Sequence, residues 1–406
     1  MPQTIRLIPL LLLMLLLSAC SFLPQPEPLN EGQTAAQLHL LPEPESDAER
    51  PLIAAWLPYF SVEALLAQED EQRCTEAVRN YLLRLKDFGI NAVFVHICAF
   101  GESCCPSDYY PQMPGIHGHD GMKIFSDICK ETGIALHAWI NPLRLQTVEY
   151  MDAQTGDARL CTWYRDPALR AEKLSLWEKR CYLNPASEST AEFLSGFLTE
   201  LITRYHPSGI HIDDYFYPTT EPAFDAEAFA ASDAENLAAW RTGNITALLQ
   251  TLYQAVKAAD PDTVFSVSPQ GSLQYNADNL YADVSGWCRS GNCCDLIIPQ
   301  LYFGYRHETC PFPKLLREWV SLPRAASVRI AVGLGIYKYG EEDERAGTGK
   351  DEWCTTDGLP AAQAADVLSE PALSGAVFYH ADALLELPQT ESEALKQAIY
   401  AIFPAE

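Results

Sequence analysis

Gly209-Ile210-His211-Ile212-Asp213-Asp214-Tyr215-Phe216-Tyr217-Pro218 is the stretch on which the reading of this chain turns. Apolar and polar residues alternate up to Asp213 with the two-residue period of a β-strand, and Pro218 stops the run. Two adjacent carboxylates and three aromatic rings fall where the strand ends. In a barrel of parallel strands, the carboxyl ends of the strands hold the chemistry. Carboxylates there supply acid, base or nucleophile, and flat rings pack on the apolar faces of a pyranose, so the pattern suits a sugar. An isolated Asp-Asp pair after a strand is as often a helix N-cap or a metal-ligand pair, so the rest of the chain must decide.

Outward from this strand, short apolar runs recur at 52–57, 91–98, 134–140, 263–268, 295–299, 329–334 and 375–380. Helix-period segments separate them at 75–88, 121–132, 191–205, 236–259, 313–321 and 361–369, and a last one covers 392–403. Eight strands alternating with helices predict a (β/α)8 TIM barrel. The competing fold, a doubly wound open sheet, usually carries a Gly-rich phosphate loop after its first strand, and none follows Leu57. The connections 141–191 and 214–236, after strands three and four, are long and are expected to be working loops.

Strand parity names the residues that meet in the barrel mouth. Ile210 and Ile212 share one face of strand four, and His211 and Asp213 share the other, which is taken as the lumen. Asp214 falls in the turn, where parity no longer assigns a side. The same reasoning brings His96 to the end of strand two, Asn141 with Arg144 just beyond it to strand three, and Ser268 to strand five. Gln300 with Tyr302 ends strand six, Lys338 follows strand seven, and His380 ends strand eight. Each alone is an ordinary polar loop residue. Their convergence on one end of one barrel predicts a shared site.

Several ordered motifs resemble one family. They are His137-Ala138-Trp139-Ile140-Asn141-Pro142-Leu143-Arg144, Asn184-Pro185-Ala186-Ser187, the 209–218 stretch itself, Tyr281-Ala282-Asp283-Val284 with Trp287, and Ile298-Pro299-Gln300-Leu301-Tyr302. Two late ones are Gly333-Leu334-Gly335-Ile336-Tyr337-Lys338 and Ala346-Gly347-Thr348-Gly349-Lys350-Asp351-Glu352-Trp353. In these the chain is similar to the glycosyl-hydrolase-like family ten proteins, bacterial exported (β/α)8 proteins, from about residue 51 to 380. The resemblance implies hydrolysis of glycans, in at least one branch of bacterial cell-wall glycan stripped of its peptides. One departure stands out. After His96 the family pattern continues Val-Arg, then Pro or Ala, then Phe-Gly-Asp-Ala. Here Cys98 replaces the arginine and Glu102 the aspartate. A lost cation there would alter the preference for substrate charge.

The expected chemistry is glycosidic hydrolysis centred on Asp213 and Asp214. Two close carboxyls cannot both ionise easily, so one keeps its proton as general acid. The other orients a sugar N-acetyl group or acts as base. If the substrate carries 2-acetamido groups, its own carbonyl oxygen can be the nucleophile, and one acidic cluster suffices. Asn141, Arg144, His96, His211, Gln300, Tyr302 and Lys338 are the candidate sugar contacts, and Trp139 or Tyr217 the stacking floor. No second carboxylate is evident. Glu102 and Asp295 are candidates, and Asp295 is discounted because it begins its strand. A non-catalytic carbohydrate-binding lipoprotein on the same barrel is the alternative. A metal-dependent deacetylase using His96, His211 and Asp213 lacks close His-x-His spacing. No metal and no cofactor is expected.

The N-terminus predicts the compartment. Arg6, the apolar run 10–17 and Leu17-Ser18-Ala19-Cys20 read as a secretory signal whose cysteine resembles a lipobox. Residues 1–20 are thus expected to be a lipoprotein signal peptide with lipidated Cys20, 21–50 a flexible Pro/Glu-rich stalk, and 51–406 the barrel. The expected product is a monomer, extracytoplasmic and lipid-anchored to the bacterial cell membrane, with a glycan as substrate. A formal charge of −26 argues against nucleic acid as a partner. Thirteen cysteines, twelve without Cys20, suggest two or three disulfides in an exported chain, or thiols left reduced in an oxygen-free organism.

Overall fold

The computed structural model describes residues 50–402; the signal segment, Cys20 and nearly all of the stalk lie outside the described residues. Eight strand segments run in chain order: β1 (Leu52–Leu57), β2 (Ala92–Ala99), β3 (Ala135–Ile140), β4 (Gly209–Ile212), β5 (Val264–Val267), β6 (Leu296–Ile297), β7 in two runs (Arg329–Ile330 and Val332–Leu334) and β8 (Gly375–Phe378). Each pairs in parallel with the next. The first run of β7 pairs with β6, the second with β8, and β8 pairs with β1, so the sheet closes on itself. The (β/α)8 barrel read from the sequence is the fold observed.

Alternation along the strands sorts side chains into two cores. Ala54, Trp56, Phe94, Trp139, Ile298 and Val377 fill the lumen. Ile53, Ala55, Leu57, Val93, Val95, Ile210 and Ile212 face the surrounding helices. A two-residue period forces this division, since a one-residue slip would turn every side chain over. Most of the outer helices lie within a few residues of the predicted segments: Glu71–Lys86, Gly121–Thr132, Glu188–Tyr205, Leu237–Ala259, Phe312–Val320, Leu359–Leu368 and Gln389–Ile402. Three of these helices start on side-chain caps. Asp70 accepts from the Gln72 N–H, Asp120 from Lys123 and Asn236 from Ala239, each satisfying a backbone donor that helix geometry leaves unpaired.

Both long connections are built structures. The one after β3 holds a three-stranded antiparallel sheet of Arg144–Thr147, Leu174–Trp177 and Arg180–Leu183, with the last strand in the middle. The one after β4 is pinned by Arg241, which is fully buried. Its guanidinium donates to both Asp225 carboxylate oxygens, to the Thr219 and Glu221 carbonyls and to the Tyr281 hydroxyl. It also lies between the Tyr217 and Tyr281 rings, 5.1 and 5.0 Å from their centroids.

The disulfide expectation is corrected. All twelve cysteines of the described residues are free thiols, and all but Cys310 and Cys354 are buried. They pack as small apolar side chains. Burial pushes the Cys98, Cys104 and Cys294 thiols well up, away from the reactive thiolate.

Candidate active site

The acid pair sits where β4 gives way to its loop. Asp213 is 3% exposed and accepts three hydrogen bonds. They come from the Trp139 indole N–H at 2.9 Å, the Asn141 amide and the Tyr215 backbone N–H at 3.2 Å. Trp139 and Asn141 both come from the end of β3, beside which β4 pairs in register, so the neighbouring strand aims both donors. Asp214 accepts from the Gln270 amide and from the Gln300 amide, the latter at 3.1 Å. Gln300 also donates to the Ser268 carbonyl, which ties β5, β6 and the acid together.

Burial raises both carboxyls above the usual range, and the charge of Asp214 adds to the effect on Asp213, which is pushed up to about 8. The donors pull the other way without cancelling this. The pair titrates as a unit and keeps one proton at neutral pH.

Two cavities open on it. The larger, 340 Å³, is walled by Trp56, Trp139, Tyr302, Tyr337 and Tyr379 around Asp213 and Asp214. Gln270, Gln300, Phe303, His307, Lys338, Asp343 and Arg345 also line it. The second, 270 Å³, shares Asp214, Tyr215 and Gln270 and is bounded by Arg144, Tyr182, Tyr217 and Tyr275. Asp214 faces both cavities; Asp213 faces only the larger.

The expected sugar contacts divide. Trp139, Gln300, Tyr302 and Lys338 line the larger cavity, and Arg144 and Tyr217 the second. Lys338 is already paired with Asp343 at 2.6 Å. Burial works against ionising Asp343, but the ammonium outweighs it and holds the carboxyl below its usual range.

Three expected contacts line neither cavity. Asn141 spends its amide on Asp213 and accepts the Phe100 N–H at 3.0 Å, so it braces the site. His96 stacks on Trp139, with centroids 3.8 Å apart and planes 8° apart, behind the cavity wall. His211 is a correction to the sugar-contact expectation. It is fully buried beneath the pair, its Nε2 accepting from the Trp56 indole at 3.0 Å and its Nδ1 bonded to the Ser266 hydroxyl at 2.8 Å.

Since Trp56 can only donate, the proton of neutral His211 lies on Nδ1. Burial pushes His211 well down, His96 down to about 3 and His137 down to about 4. The lumen floor is therefore a set of neutral imidazoles. Gly209 begins β4 because an added Cβ would lie 2.2 Å from the His137 Nδ1.

The departures from the family pattern stay clear of the cavities. Cys98 is buried in β2. Glu102 accepts from the Gln146 amide at 2.7 Å and from the Tyr150 hydroxyl, joining the loop after β2 to the sheet after β3. Asp295 pairs with Lys257 at 2.7 Å and accepts the Phe265 N–H at the start of the strand, as expected.

Residues absent from the sequence reading include Gln270, Tyr379, Trp56, Asp343 and Arg345. Parity continued two residues past Ser268 would have reached Gln270. Nothing in the periodicity points to Asp343, because a loop fold carries it.

An acid pair at the carboxyl end of the fourth strand of a (β/α)8 barrel, in an aromatic-walled cavity, defines a glycoside-hydrolase-like protein. The chain belongs to the family of glycosyl hydrolase-like 10 proteins, whose model matches residues 52–346. It is similar to glycosyl hydrolase DigH of Escherichia coli K12, with 25% identity over 374 residues that cover 83% of this chain and 82% of the relative. Glycosyl hydrolase YngK of Bacillus subtilis is 24% identical over 328 residues, 72% of this chain and 62% of YngK. Among solved structures, the PgaB (BpsB) glycoside hydrolase domain from Bordetella bronchiseptica matches with a TM-score of 0.55 at 14% identity, covering 86% of this chain and 98% of that domain. The catalytic domain of β-amylase from Paenibacillus polymyxa matches with a TM-score of 0.57 at 12% identity, covering 86% and 97%. These likenesses show the barrel fold that the chain shares with glycoside hydrolases.

Proposed function

We propose that this protein hydrolyses a β-linked N-acetylhexosamine glycan of the bacterial cell wall, with the substrate's own acetamido oxygen as nucleophile. The observation that carries this reading is the single buried acid pair. The one other carboxylate lining the larger cavity, Asp343, is neutralised by Lys338. Double displacement by enzyme carboxylates needs two separated groups, whereas an assisted mechanism needs one cluster.

In this reading Asp214, which faces both cavities, protonates the leaving oxygen while the acetamido carbonyl oxygen attacks the anomeric carbon. Asp213, fixed by Trp139 and Asn141, accepts the acetamido N–H and stabilises the positive charge that develops on the ring so formed. Water then opens that ring, with Asp214 as base. Trp56, Tyr302 and Tyr379 enclose the sugar. The chain's export and lipidation at Cys20 form part of the same proposal, since they would set the enzyme beside its wall substrate.

The test is cleavage of β-linked N-acetylhexosamine oligosaccharides in the presence of a thiazoline that mimics the cyclised intermediate. Strong inhibition is expected, with no cleavage of the sugar lacking its acetamido group. Rapid cleavage of a plain glucan, untouched by the thiazoline, would defeat the proposal. An aryl glycoside with a good leaving group separates the two roles: Asp214→Asn should retain its cleavage and Asp213→Asn should lose it, because only the second still lacks what the first step requires.

A further inference from the structure

We propose that His211 and Gly333 are positioning residues for the reaction, which hold the Trp56 indole as a fixed wall of the larger cavity. The proposal rests on the glycan reading above, in which Trp56 encloses the sugar. Neither residue lines either cavity, so each acts through the ring. The lumen around Trp56 is apolar, with Ala54, Phe94, Ile298, Ala331 and Val377 in one cluster with it. An imidazole costs more to bury there than a leucine or phenylalanine, unless its nitrogens are used.

Both nitrogens of His211 are used. The Trp56 indole N–H donates to Nε2 at 3.0 Å, and Nδ1–H donates to the Ser266 hydroxyl oxygen at 2.8 Å. That hydroxyl donates in turn to the Ile210 carbonyl at 3.3 Å. The chain of donors runs in one direction through wholly buried groups. It ends on the backbone of β4, the strand that carries the acid pair, so it registers the Trp56 ring against Asp213 and Asp214.

Gly333 limits the other end of the indole. An added Cβ would lie 2.8 Å from Trp56 Cη2 and 3.1 Å from Cζ3, closer than packed carbons approach. Gly333 is not among the glycines with positive φ, so space rather than backbone conformation calls for glycine. Its backbone is held as well: the N–H donates to the Pro299 carbonyl and the carbonyl accepts the Leu301 N–H, both at 2.9 Å. Two residues on, an added Cβ at Gly335 would lie 2.7 Å from the Tyr302 Cβ, so a second wall is seated in the same way. A ring pinned at both ends needs no ordering when the sugar arrives.

The test is a double-mutant cycle with Trp56→Phe, which keeps an aromatic ring but lacks the N–H and the benzo edge. Cleavage of β-linked N-acetylhexosamine oligosaccharides is measured. Trp56→Phe, His211→Phe and Gly333→Ala should each lower kcat/KM by about tenfold or more. In the Trp56→Phe background, either second change should matter by less than about twofold. His211→Gln, whose amide oxygen can still accept the indole N–H, should lose less than His211→Phe. If His211→Phe does not fold, Gly333→Ala completes a cycle without it. Losses that multiply in the double variants overturn the proposal, because His211 and Gly333 would then act independently of Trp56. A wild-type rate for Trp56→Phe overturns it too.

A second readout needs no substrate. The Trp56 indole N–H resonance is the one missing from nitrogen-labelled Trp56→Phe. It should move upfield in His211→Phe, as its hydrogen bond is lost, and shift in Gly333→Ala, while that of Trp240, on an outer helix, stays in place. No movement overturns the seating. Movement of the resonance, with none of the glycans cleaved by the wild type, supports the seating and defeats the hydrolase proposal instead.

Discussion

At the scale of single residues, the proton held by the acid pair is the property most open to measurement. The folded acid pair keeps one shared proton up to about pH 8, the value to which Asp213 is pushed, whereas the unfolded chain releases it near an ordinary aspartate's pKa of about 4. The folded state therefore binds more protons across that window, and stability falls as pH rises through it. Asp213→Asn should flatten this slope, leaving the part due to the burial of Asp214, and melt no lower than wild type at pH 8.5, while Asp213→Asn and Asp214→Asn each lower turnover on the natural linkage by about a hundredfold or more. Near-wild-type rates would show that the pair is not catalytic. Wild-type kcat/KM should decline above about pH 8 as the acid pair loses the one proton it shares. The lumen histidines carry the opposite sign. His137 stays neutral in the fold down to about 4 and protonates when unfolded near about 6.5, so stability is lost as pH falls through that interval. Chemical denaturation of His137→Asn should show a flatter acid limb there, by up to about 1.4 kcal/mol per pH unit; an unchanged limb would contradict the neutral floor.

At the scale of elements, the loops after β3 and β4 shape the cavities, and each is held by a few polar contacts. Arg241 is the strongest of these, since it and Asp225 are removed from water together and pair with each other there. Arg241→Met leaves the Asp225 carboxylate buried and unpaired, which costs about 3–5 kcal/mol. Equilibrium unfolding should record that loss, and adding Asp225→Leu should recover part of it. Because Arg241 also packs on Tyr217, a wall of the second cavity, weaker glycan binding should accompany the lost stability. An effect below about 1 kcal/mol would mean that the loop is held by other contacts.

At the scale of the whole molecule, stability comes from one closed barrel and its ring of helices. With the twelve described cysteines reduced and mostly buried, a thiol reductant should leave the melting temperature unchanged. A drop of several degrees would reveal disulfides. The anchor proposal is tested on the full chain in cells: Cys20→Ala should release the protein from the membrane fraction or leave it unprocessed, and an unchanged membrane fraction would refute lipidation at Cys20.

The alternation of Ile210 and Ile212 with His211 and Asp213, repeated in seven further runs, determined the barrel and the strand ends on its own. Strand faces follow from a local period, and a parallel sheet wrapped by helices is the arrangement that buries the outer face. Parity also separated the lumen side chains from those under the helices. It did not separate lining from foundation. His211 and Asp213 share one strand face, yet His211 lies a layer deeper with both ring nitrogens occupied, and depth along the barrel axis depends on the register of neighbouring strands. The sheet after β3 and the pairing of Lys338 with Asp343 were decided by tertiary structure alone. Those contacts join segments whose approach is set by how the loops pack over the barrel mouth, and such packing leaves no periodic trace in the chain.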